Sequence, residues 1–467
     1  MHRRKLLFKF VFYDLVASTI VWLLFMVFRK TVVDAQLFGD VKIFIPNYDF
    51  LSGFLFFPLS CILVHYLSGF YRRPEILSKT VILFTTLVAT AIISIVIFFV
   101  LMLDDIVISY RYYYYSLIVL FGLLFLLTLV FRSLIFSEIS KNFRLKVWSI
   151  PTLIIGTGKN ARMMAEELKK NAPEYTLKGF VWVENQSNET PKDQVVGYYS
   201  NIGEIISKYG IKDVIIALDN VDEYFLFKII NALYIYNIDI RFTPRLYEIL
   251  TSGSKIKMVG VSPLVNITTL HMPDWQFSVK RFIDIIVAFV GLILVIPLFI
   301  FIIIKISIDS RGPAFYKQER IGFLGKPFKI IKFRTMYVDS ESGIPQLSSA
   351  WDARVTPFGR FLRKYRFDEL PQLWNILMGD MSLVGPRPER KFYIDQIIEK
   401  APYYCLLYKI RPGLTSWGPI RIGYSDTIDK MIERLNFDII YLDNMSLFTD
   451  FKILLQTIDI IFKGKGV

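Results

Sequence analysis

Four long apolar segments lie within residues 1–146 and constrain the fold more than any other feature of this sequence. Each is about long enough to cross the hydrocarbon core of a bilayer as an α-helix. Hydrophobic residues make up 54% of the 467-residue chain, which exceeds the usual share in a soluble protein. The sequence therefore predicts an N-terminal membrane bundle of four helices, at residues 6–28, 50–70, 80–103 and 115–136.

Cationic residues flank these apolar segments unevenly. Lysines and arginines precede the first segment, join the second to the third, and follow the fourth, where Arg132 is the first of them. The two other loops carry aspartates and fewer cations. By the positive-inside rule, both ends of the bundle are cytoplasmic. No small-residue cleavage site follows the first segment, which favours a retained helix over a signal peptide.

The formal net charge of +14 raises the question of which anionic partner the chain binds. Because Lys and Arg cluster beside apolar segments, anionic lipids and phosphorylated substrates are favoured, and no nucleic acid is expected. The chain has two cysteines and three histidines, which provide neither a disulfide framework nor a Cys-based metal site. Acid–base chemistry is therefore assigned to carboxylates or lysine.

Residues 147–265 have the composition of a soluble α/β domain. Strand-like runs alternate with helical stretches there, which predicts a small parallel, Rossmann-like sheet. Gly156 and Gly158 lie between the first strand and a helix, where a dinucleotide's phosphates would meet helix N–H groups. Glu184, after the second strand, would take a ribose hydroxyl. The alternative stays open that both glycines serve only a tight turn and close packing.

A fifth apolar stretch, 282–306, follows a region rich in glycine and proline. Residues 252–275 are interpreted as a linker, with 266–279 as the connection between domains. Cations flank the stretch on both sides, which gives no orientation by the positive-inside rule. Pro297 near its middle removes a helical hydrogen bond and favours a bend. We expect a re-entrant helix that returns to the same membrane face, and a full crossing is the alternative.

The segment 363–389 combines two adjacent carboxylates with fixed arginines, a pattern that suits phosphoryl transfer. Pro371 belongs in the first turn of a helix, so Asp368 and Glu369 are placed at the helix N-terminus, where the dipole favours an ionised carboxylate. The alternative is an ordinary N-capping Asp followed by a Glu. Two prolines restrict the backbone around Arg387 and preorganise its guanidinium for a phosphate.

At these residues the chain resembles the bacterial sugar transferase family, the polyprenyl-phosphate sugar-1-phosphate transferases. The four helices and the Rossmann-like domain are similar to the long, polytopic branch of that family. The matching segments are Lys280-Arg-x-x-Asp284, Phe315-x-Lys-Gln-Glu-Arg320-x-Gly, Lys332-Phe-Arg-Thr-Met336, Asp368-Glu-Leu-Pro-Gln-Leu-Trp-Asn375, Gly379-Asp-Met-Ser-Leu-Val-Gly-Pro-Arg-Pro-Glu389 and Arg411-Pro-Gly-Leu-Thr415.

The resemblance implies a three-part fold: a membrane α-helical bundle, an α/β Rossmann-like domain, and a small α/β catalytic domain, 280–467, on a re-entrant helix. It implies transfer of sugar-1-phosphate from a UDP-sugar to undecaprenyl phosphate, with Mg²⁺ and release of UMP. This would be the first membrane step of exopolysaccharide, capsule or O-antigen synthesis. The implied location is the bacterial inner membrane, with the catalytic domain on the cytoplasmic face. Whether the chain forms a homodimer stays open.

The resemblance also assigns roles to individual residues. Asp368 would be the nucleophile that forms a covalent phosphosugar intermediate, and Glu369 would support metal or proton handling. Both carboxylates are the implied metal ligands. The residues implied to contact the substrate phosphates are Arg363, Arg387, Lys332, Arg334, Glu319 and Arg320.

Two departures from the family pattern bear on these expectations. Family members often have Ser before the helix-breaking proline, where this chain has Ile296, and residues 416–420 differ from the commoner version, which leaves the donor sugar open. One alternative function is a membrane-tethered nucleotide-sugar dehydratase or epimerase, but the required second Gly-rich loop and Tyr-x-x-x-Lys pair are not found after Lys280. The other is a non-catalytic scaffold of polysaccharide assembly.

Overall fold

The computed structural model describes residues 2–34, 48–72, 74, 78–104, 110–145, 147–172, 174–184, 187–219, 223–236, 238–243, 256–259, 262–266, 272–338, 340, 352–423 and 426–462. The chain divides into two compact units. The first comprises Met1–Trp148 with Pro273–Lys280, and the second comprises Ser149–Met272 with Arg281–Val467.

The first unit contains a bundle of apolar helices. Three of them, α1, α3 and α4, include segments long and apolar enough to cross a membrane, and the apolar part of α2 is shorter. Large side chains such as Phe25, Phe57 and Leu124 fill the centre of the bundle. The prediction of a helical N-terminal region with several apolar helices is confirmed. The helices are α1 (His2–Phe28), α2 (Tyr48–Leu67), α3 (Lys79–Asp104) and α4 (Tyr110–Arg144).

A charged pair lies buried inside this bundle. The Arg132 guanidinium donates to the Asp14 carboxylate at 2.6 and 3.0 Å. The Tyr71 hydroxyl also donates to Asp14, and Thr86 accepts from Arg132. The interpretation of Arg132 as a flanking cytoplasmic cation is therefore wrong, because α4 continues past it and buries its charge against Asp14. Charges survive such burial only when they are paired.

The second unit is built on a seven-stranded sheet with the order β3-β2-β1-β4-β5-β7-β6. Strands β1 to β5 are parallel, as predicted, whereas β7 is antiparallel to both neighbours. Most residues of the central strands β1 and β4 are apolar and buried, as is usual for a parallel sheet that helices cover. The strands are β1 (Ile150–Ile155), β2 (Tyr175–Trp182), β3 (Val195–Tyr198), β4 (Asp213–Ile216), β5 (Asp239–Phe242), β6 (Ile256–Val259) and β7 (Ser262–Asn266).

The linker interpretation of residues 252–275 is wrong for β6 and β7, which form a hairpin at the edge of the sheet. Its glycines and prolines suggested a linker, but a proline is tolerated near the start of a strand at the margin of a sheet, where Pro263 lies. Three helices accompany the sheet: α5 (Lys159–Asn171), α6 (Ile202–Tyr209) and α7 (Glu223–Tyr234).

The long helix α8 (Asp274–Asp309) leads into the C-terminal region and contains Pro297. It begins before the predicted stretch 282–306, so the last residues of the predicted linker 266–279 are helical. The helices after it are α9 (Pro357–Lys364), α10 (Gln372–Met378), α11 (Lys391–Lys400), α12 (Trp417–Ile422), α13 (Ile428–Asp443) and α14 (Leu447–Phe462). The strands are β8 (Phe315–Ile321), β9 (Pro327–Phe333), β10 (Ser382–Val384) and β11 (Gly413–Thr415).

The sheet and the C-terminal region share one hydrophobic core. Helix α7 packs against the 3₁₀ segment Pro402–Lys409, and the rings of Phe227 and Tyr403 meet edge to face at 6.2 Å. This core extends to α11 and α13, two helices that border the candidate site. The predicted boundary between the Rossmann-like and catalytic domains stays a prediction.

Candidate active site

Asp368 and Glu369 lie in a tight 3₁₀ turn, Phe367–Glu369, directly before α10. The regular helix begins at Gln372, with Pro371 at its cap, so the two carboxylates precede the helix and do not form its first turn. Arg366 enters the turn in the left-handed conformation, with φ of 57°. Each carboxylate-bearing residue is 8% exposed. The turn thus holds both acids nearly out of water.

The cations around this turn pair with Glu369. Lys332 Nζ lies 2.9 Å and Arg387 Nη2 lies 3.2 Å from its Oε1, and Arg366 Nη1 lies 3.6 Å from its Oε2. Among the described residues, no comparable ion pair is made by Asp368. The two adjacent acids therefore differ in their surroundings: one is neutralised by cations and the other is left open toward the site.

This difference separates the pKa values of the two acids. Burial raises the pKa of Asp368 to about 6, although the charges of Lys332 and Arg363 oppose the shift. Burial also acts on Glu369, but the cations beside it lower its pKa below the ordinary range. The pKa of Asp368 thus shifts in the direction opposite to the one that the helix N-terminus alone would give, because desolvation exceeds the attraction of nearby charge.

The surrounding elements fix the cations of the site. Lys332 lies on β9, which pairs with β8 along its whole length. Thr356 caps α9 by accepting from the Gly359 N–H at 3.0 Å, and this helix carries Arg363. Arg363 Nε donates to the Thr335 hydroxyl at 2.9 Å. The predicted cations Lys332, Arg363 and Arg387 thus come from β9, α9 and the loop after β10, and they meet around one turn.

A cavity of about 880 Å³ opens beside the acidic pair. Its volume falls in the range usual for small-molecule sites. Its cationic lining suits a ligand with several negative charges, such as a diphosphate. The side chains that line it include Arg320, Lys332, Arg363, Arg387, Asp368 and Glu369.

Two of the residues expected to contact phosphates are placed differently. Glu319 is exposed and lies on the opposite face of β8 from Gln318 and Arg320, which line the cavity. Arg334 borders the cavity, but its guanidinium donates to the carbonyls of Ser310 and Arg311 at 2.7 and 3.0 Å, at the end of α8. The role of both residues in phosphate binding stays a prediction.

The sequence prediction missed several charged residues of this region. Arg366 pairs with Glu369, and Arg434 pairs with Glu389 at the end of the Pro-Arg-Pro segment. Asp438 is buried one turn after Arg434. The polar residues Arg434 and Asp438 recur four residues apart on an otherwise apolar helix face, which was the available signal.

The predicted ligand site in the α/β sheet is already occupied by a side chain. The Asp219 carboxylate accepts from the N–H groups of Lys159 and Asn160 at 3.0 and 2.9 Å. A Cβ at Gly158 would collide with this carboxylate, so glycine is required for the close approach. Gly156 and Gly158 therefore serve a turn closed from within the protein, and binding of a ligand there, with Glu184, stays a prediction.

Comparisons with known proteins agree with the geometry of the C-terminal region. A family model for bacterial sugar transferases matches residues 275–464. The UDP-glucose:undecaprenyl-phosphate glucose-1-phosphate transferase of Caulobacter vibrioides is 40% identical over 181 residues, which are 38% of this chain and 68% of that protein. The UDP-N-acetylgalactosamine-undecaprenyl-phosphate N-acetylgalactosaminephosphotransferase of Aeromonas hydrophila is 37% identical over 219 residues, 47% of this chain and 51% of that protein.

A third relative, the UDP-glucose:undecaprenyl-phosphate glucose-1-phosphate transferase of Escherichia coli K12, is 33% identical over 256 residues, 54% of each chain. The chain thus spans about half the length of several curated relatives that it matches. The Caulobacter protein is matched over more than two thirds of its length, and the family model covers the acidic pair and its cations. The chain belongs to the bacterial sugar transferase family.

Proposed function

We propose that this protein transfers sugar-1-phosphate from a UDP-sugar to undecaprenyl phosphate and releases UMP. The observation that carries the proposal is the pair of adjacent buried acids beside a cationic cavity, in which Glu369 takes the ion pairs and Asp368 does not. The relatives named above act on UDP-glucose or UDP-N-acetylgalactosamine, which supports a UDP-sugar as donor.

In the proposed mechanism, a carboxylate oxygen of Asp368 attacks the sugar-bearing phosphorus of the donor. The phosphoric anhydride bond breaks and its electron pair leaves with UMP, while a covalent aspartyl phosphosugar forms. An oxygen of undecaprenyl phosphate then attacks the same phosphorus and releases the Asp368 carboxylate. One anhydride bond is broken and another is formed overall, so no further energy source is needed. Two steps allow one site to serve a soluble donor and a lipid acceptor in turn.

The cations of the cavity stabilise the charge of the transferred group in this proposal. Arg387 and Lys332 lie beside Glu369, close enough to the turn to contact a phosphoryl group held next to Asp368. Arg363 is held by Thr335 on the adjacent element. Guanidinium groups bind phosphate oxygens in a fixed geometry, so their positions orient the donor for attack.

Mg²⁺ is part of the proposal, with Asp368 and Glu369 as its protein ligands. Proteins hold this ion with one or two carboxylates plus substrate phosphates, and two adjacent carboxylates beside a cavity fit that requirement. Clusters of three or more metal-binding side chains are absent from the described part of the chain, which agrees with a site completed by substrate. When bound, the ion would offset the negative charge of the diphosphate.

The proposal places the catalytic region at the cytoplasmic face of the bacterial inner membrane, on a re-entrant α8. At its beginning, Arg281 donates to the carbonyls of Ile376 and Leu377 at 2.8 and 3.1 Å. In its second half, just after Pro297, Phe299 packs on Phe333 with ring centroids 5.0 Å apart. A straight helix of 36 residues would be about 54 Å long.

Both parts of α8 therefore contact one catalytic region. If the helix crossed the bilayer, its far end would lie on the opposite side from the elements that bind its start. These contacts support re-entry with a bend at Pro297, whose missing N–H weakens the helix at that point. The partners in this proposal are the UDP-sugar, undecaprenyl phosphate and the bilayer, and a homodimer stays a prediction.

Release of UMP tests the proposed function. Purified full-length protein would be incubated with Mg²⁺, undecaprenyl phosphate and a panel of UDP-sugars, beside Asp368→Asn. The control is Asp395→Asn, because Asp395 is an exposed acid paired with Lys391 on the surface of α11. We expect one donor to give UMP with wild type and the control but not with Asp368→Asn. If no donor gives release above that variant, the proposal is wrong.

The covalent step has its own test. Without lipid acceptor, we expect a burst of about one UMP per chain, and intact mass spectrometry should show the protein heavier by one sugar phosphate. Asp368→Asn should show neither. Multiple turnovers that strictly require both substrates, with no burst and no adduct, would favour direct transfer instead.

A further inference from the structure

Helix α13 presents two buried ionisable side chains to the loop that carries Arg387. The guanidinium of Arg434 pairs with the Glu389 carboxylate. One turn later, the buried Asp438 carboxyl lies beside the backbone of Arg387, which favours its charged form. Arg434 is 6% exposed and Asp438 is 2% exposed. Both side chains therefore lie against the loop on the side of α13, while the Arg387 side chain extends from the loop toward the acidic pair.

The opposite side of the same loop is held by β8. Arg320 Nη1 lies 3.4 Å from Glu389 Oε2 and 3.2 Å from the Pro388 carbonyl oxygen. The N–H of Ile321 donates to the Glu389 carbonyl at 3.0 Å. Glu389 thus joins two elements, with Arg434 on one side and Arg320 on the other. The loop is clamped between α13 and β8.

The composition of the loop makes these contacts decisive for Arg387. Pro386 and Pro388 have no N–H groups, so the Arg387 N–H is a main-chain donor between two residues that have none. Its guanidinium reaches Glu369 at 3.2 Å. A shift of the backbone by about 1 Å would take this contact beyond hydrogen-bonding distance.

Stability alone does not account for these buried charges. Desolvating an ion pair costs about as much as its attraction returns, and apolar residues of similar volume often stabilise a protein equally well. Burial also raises the pKa of Asp438 to about 7, in spite of the charge of Arg434. A role other than stability is therefore expected for these two side chains.

We propose that Arg434 and Asp438 are positioning residues that fix the Pro386–Glu389 loop, so that the Arg387 guanidinium meets Glu369 and the phosphate of the donor. The inference rests on the proposed function and adds to it two residues that do not contact the reacting atoms. They act on the reaction through Arg387. The effect of either residue should therefore depend on whether Arg387 is present.

A double-mutant cycle on the full-length protein tests this dependence. We expect Asp438→Ala to lower kcat for UMP release about 10- to 100-fold. In an Arg387→Ala background, the same substitution should cause less than a threefold further loss. Asp438→Asn keeps an oxygen acceptor for the backbone N–H and should retain most of the activity. Glu433→Ala, at an exposed position on the same helix, is the matched control.

A second measurement is independent of activity. Hydrogen exchange followed by mass spectrometry should show faster exchange in peptides covering residues 385–390 in Asp438→Ala, with unchanged exchange in the sheet. An equal loss of kcat in both backgrounds, or unchanged exchange in the loop, would overturn the inference and assign Asp438 to general packing. If wild type transfers no sugar phosphate from any donor, the proposed function fails, and exchange alone decides whether the loop is clamped.

Discussion

Asp219 and Asp368 both lie beside the start of a helix in the second unit, yet their surroundings are opposite. Asp219 accepts two backbone N–H groups and the Ser187 hydroxyl, the latter at 3.1 Å. Asp368 is nearly buried, and the cations near it pair with Glu369 instead. A carboxylate surrounded by donors is stabilised as an ion. For Asp368, burial outweighs the nearby positive charges and raises the pKa, so its ionised form is less favoured.

This comparison shows that an acidic residue at a helix start does not reveal its role by position. The deciding property is the supply of donors. At Asp219, Gly158 allows the backbone to come close enough to donate. At Asp368, the chain enters the turn through Arg366 in the left-handed conformation, and no side chain caps the turn. Asp219 holds the start of a helix, whereas Asp368 borders the cavity.

The largest expected effect separates the two acids by activity. Asp368→Asn should reduce UMP release by about 10³-fold or more, because the amide cannot form the covalent intermediate. Asp219→Asn should stay within threefold of wild type, because Asp219 follows the end of β4, outside the lining of the cavity, and the amide keeps an acceptor oxygen. Initial rates with saturating donor and lipid measure both variants. Comparable losses in the two would remove the functional distinction between them.

The second prediction concerns stability: Asp368→Asn, which should lose activity, should gain stability. The pKa of Asp368 is raised from 3.8 to about 6 in the folded state, so folding loses stability as the pH rises from about 4 and the loss is complete above about 6. Asp368→Asn removes this cost and should stabilise the protein at pH 7.5, by an amount on the order of 2 kcal/mol. The gain should shrink at pH 5, where wild type is largely protonated. Thermal unfolding at both pH values measures it, and a lower midpoint at pH 7.5 would contradict the prediction.

The third prediction is the pH dependence of the first chemical step. Because the carboxylate of Asp368 must be ionised to attack, the burst rate should fall about tenfold for each pH unit below 6. Single-turnover measurements without lipid acceptor are required, since the acceptor's own phosphate titrates in the same range. A burst rate that is constant between pH 5 and 7 would show that Asp368 is ionised throughout.

The smallest expected effect is structural. Asp219→Ala removes the acceptor from the start of α5 and should destabilise the second unit by about 1 kcal/mol, as the loss of an N-cap does. Asp219→Asn should recover most of that stability. Chemical unfolding followed by tryptophan fluorescence measures the difference. If Asp219→Ala were as stable as wild type, the carboxylate would not be holding the helix.

Local patterns were sufficient to predict much of the fold and part of the site. Apolar runs indicated the N-terminal helices and the parallel strands, because both structures bury long apolar segments. Lys332, Arg363 and Arg387 were predicted from motif positions, and the structure brings all three to the cavity. These features depend on residues close in sequence.

The features that were missed depend on partners far apart in sequence. Arg132 finds Asp14 across the bundle, and Arg434 pairs with a glutamate 45 positions away. The β6–β7 hairpin was not predicted, because the glycine and proline in its sequence are more typical of a linker. Local sequence also does not show which of the two adjacent acids pairs with the cations, since Asp368 and Glu369 share the same sequence neighbours. That choice is made by β9 and the Arg387 loop.

The contacts at the start of α8 also have a consequence for how the protein is made in the cell. Arg281 binds the end of the helix that follows the acidic pair, and Asp284 accepts from the Ser382 hydroxyl and the Leu383 N–H. The long apolar helix α8 therefore contributes two side chains that hold the region around the acidic pair. Residues 376–383 therefore reach their observed position only when the start of α8 is in place, so assembly of the acidic-pair region is coupled to the placement of this apolar helix.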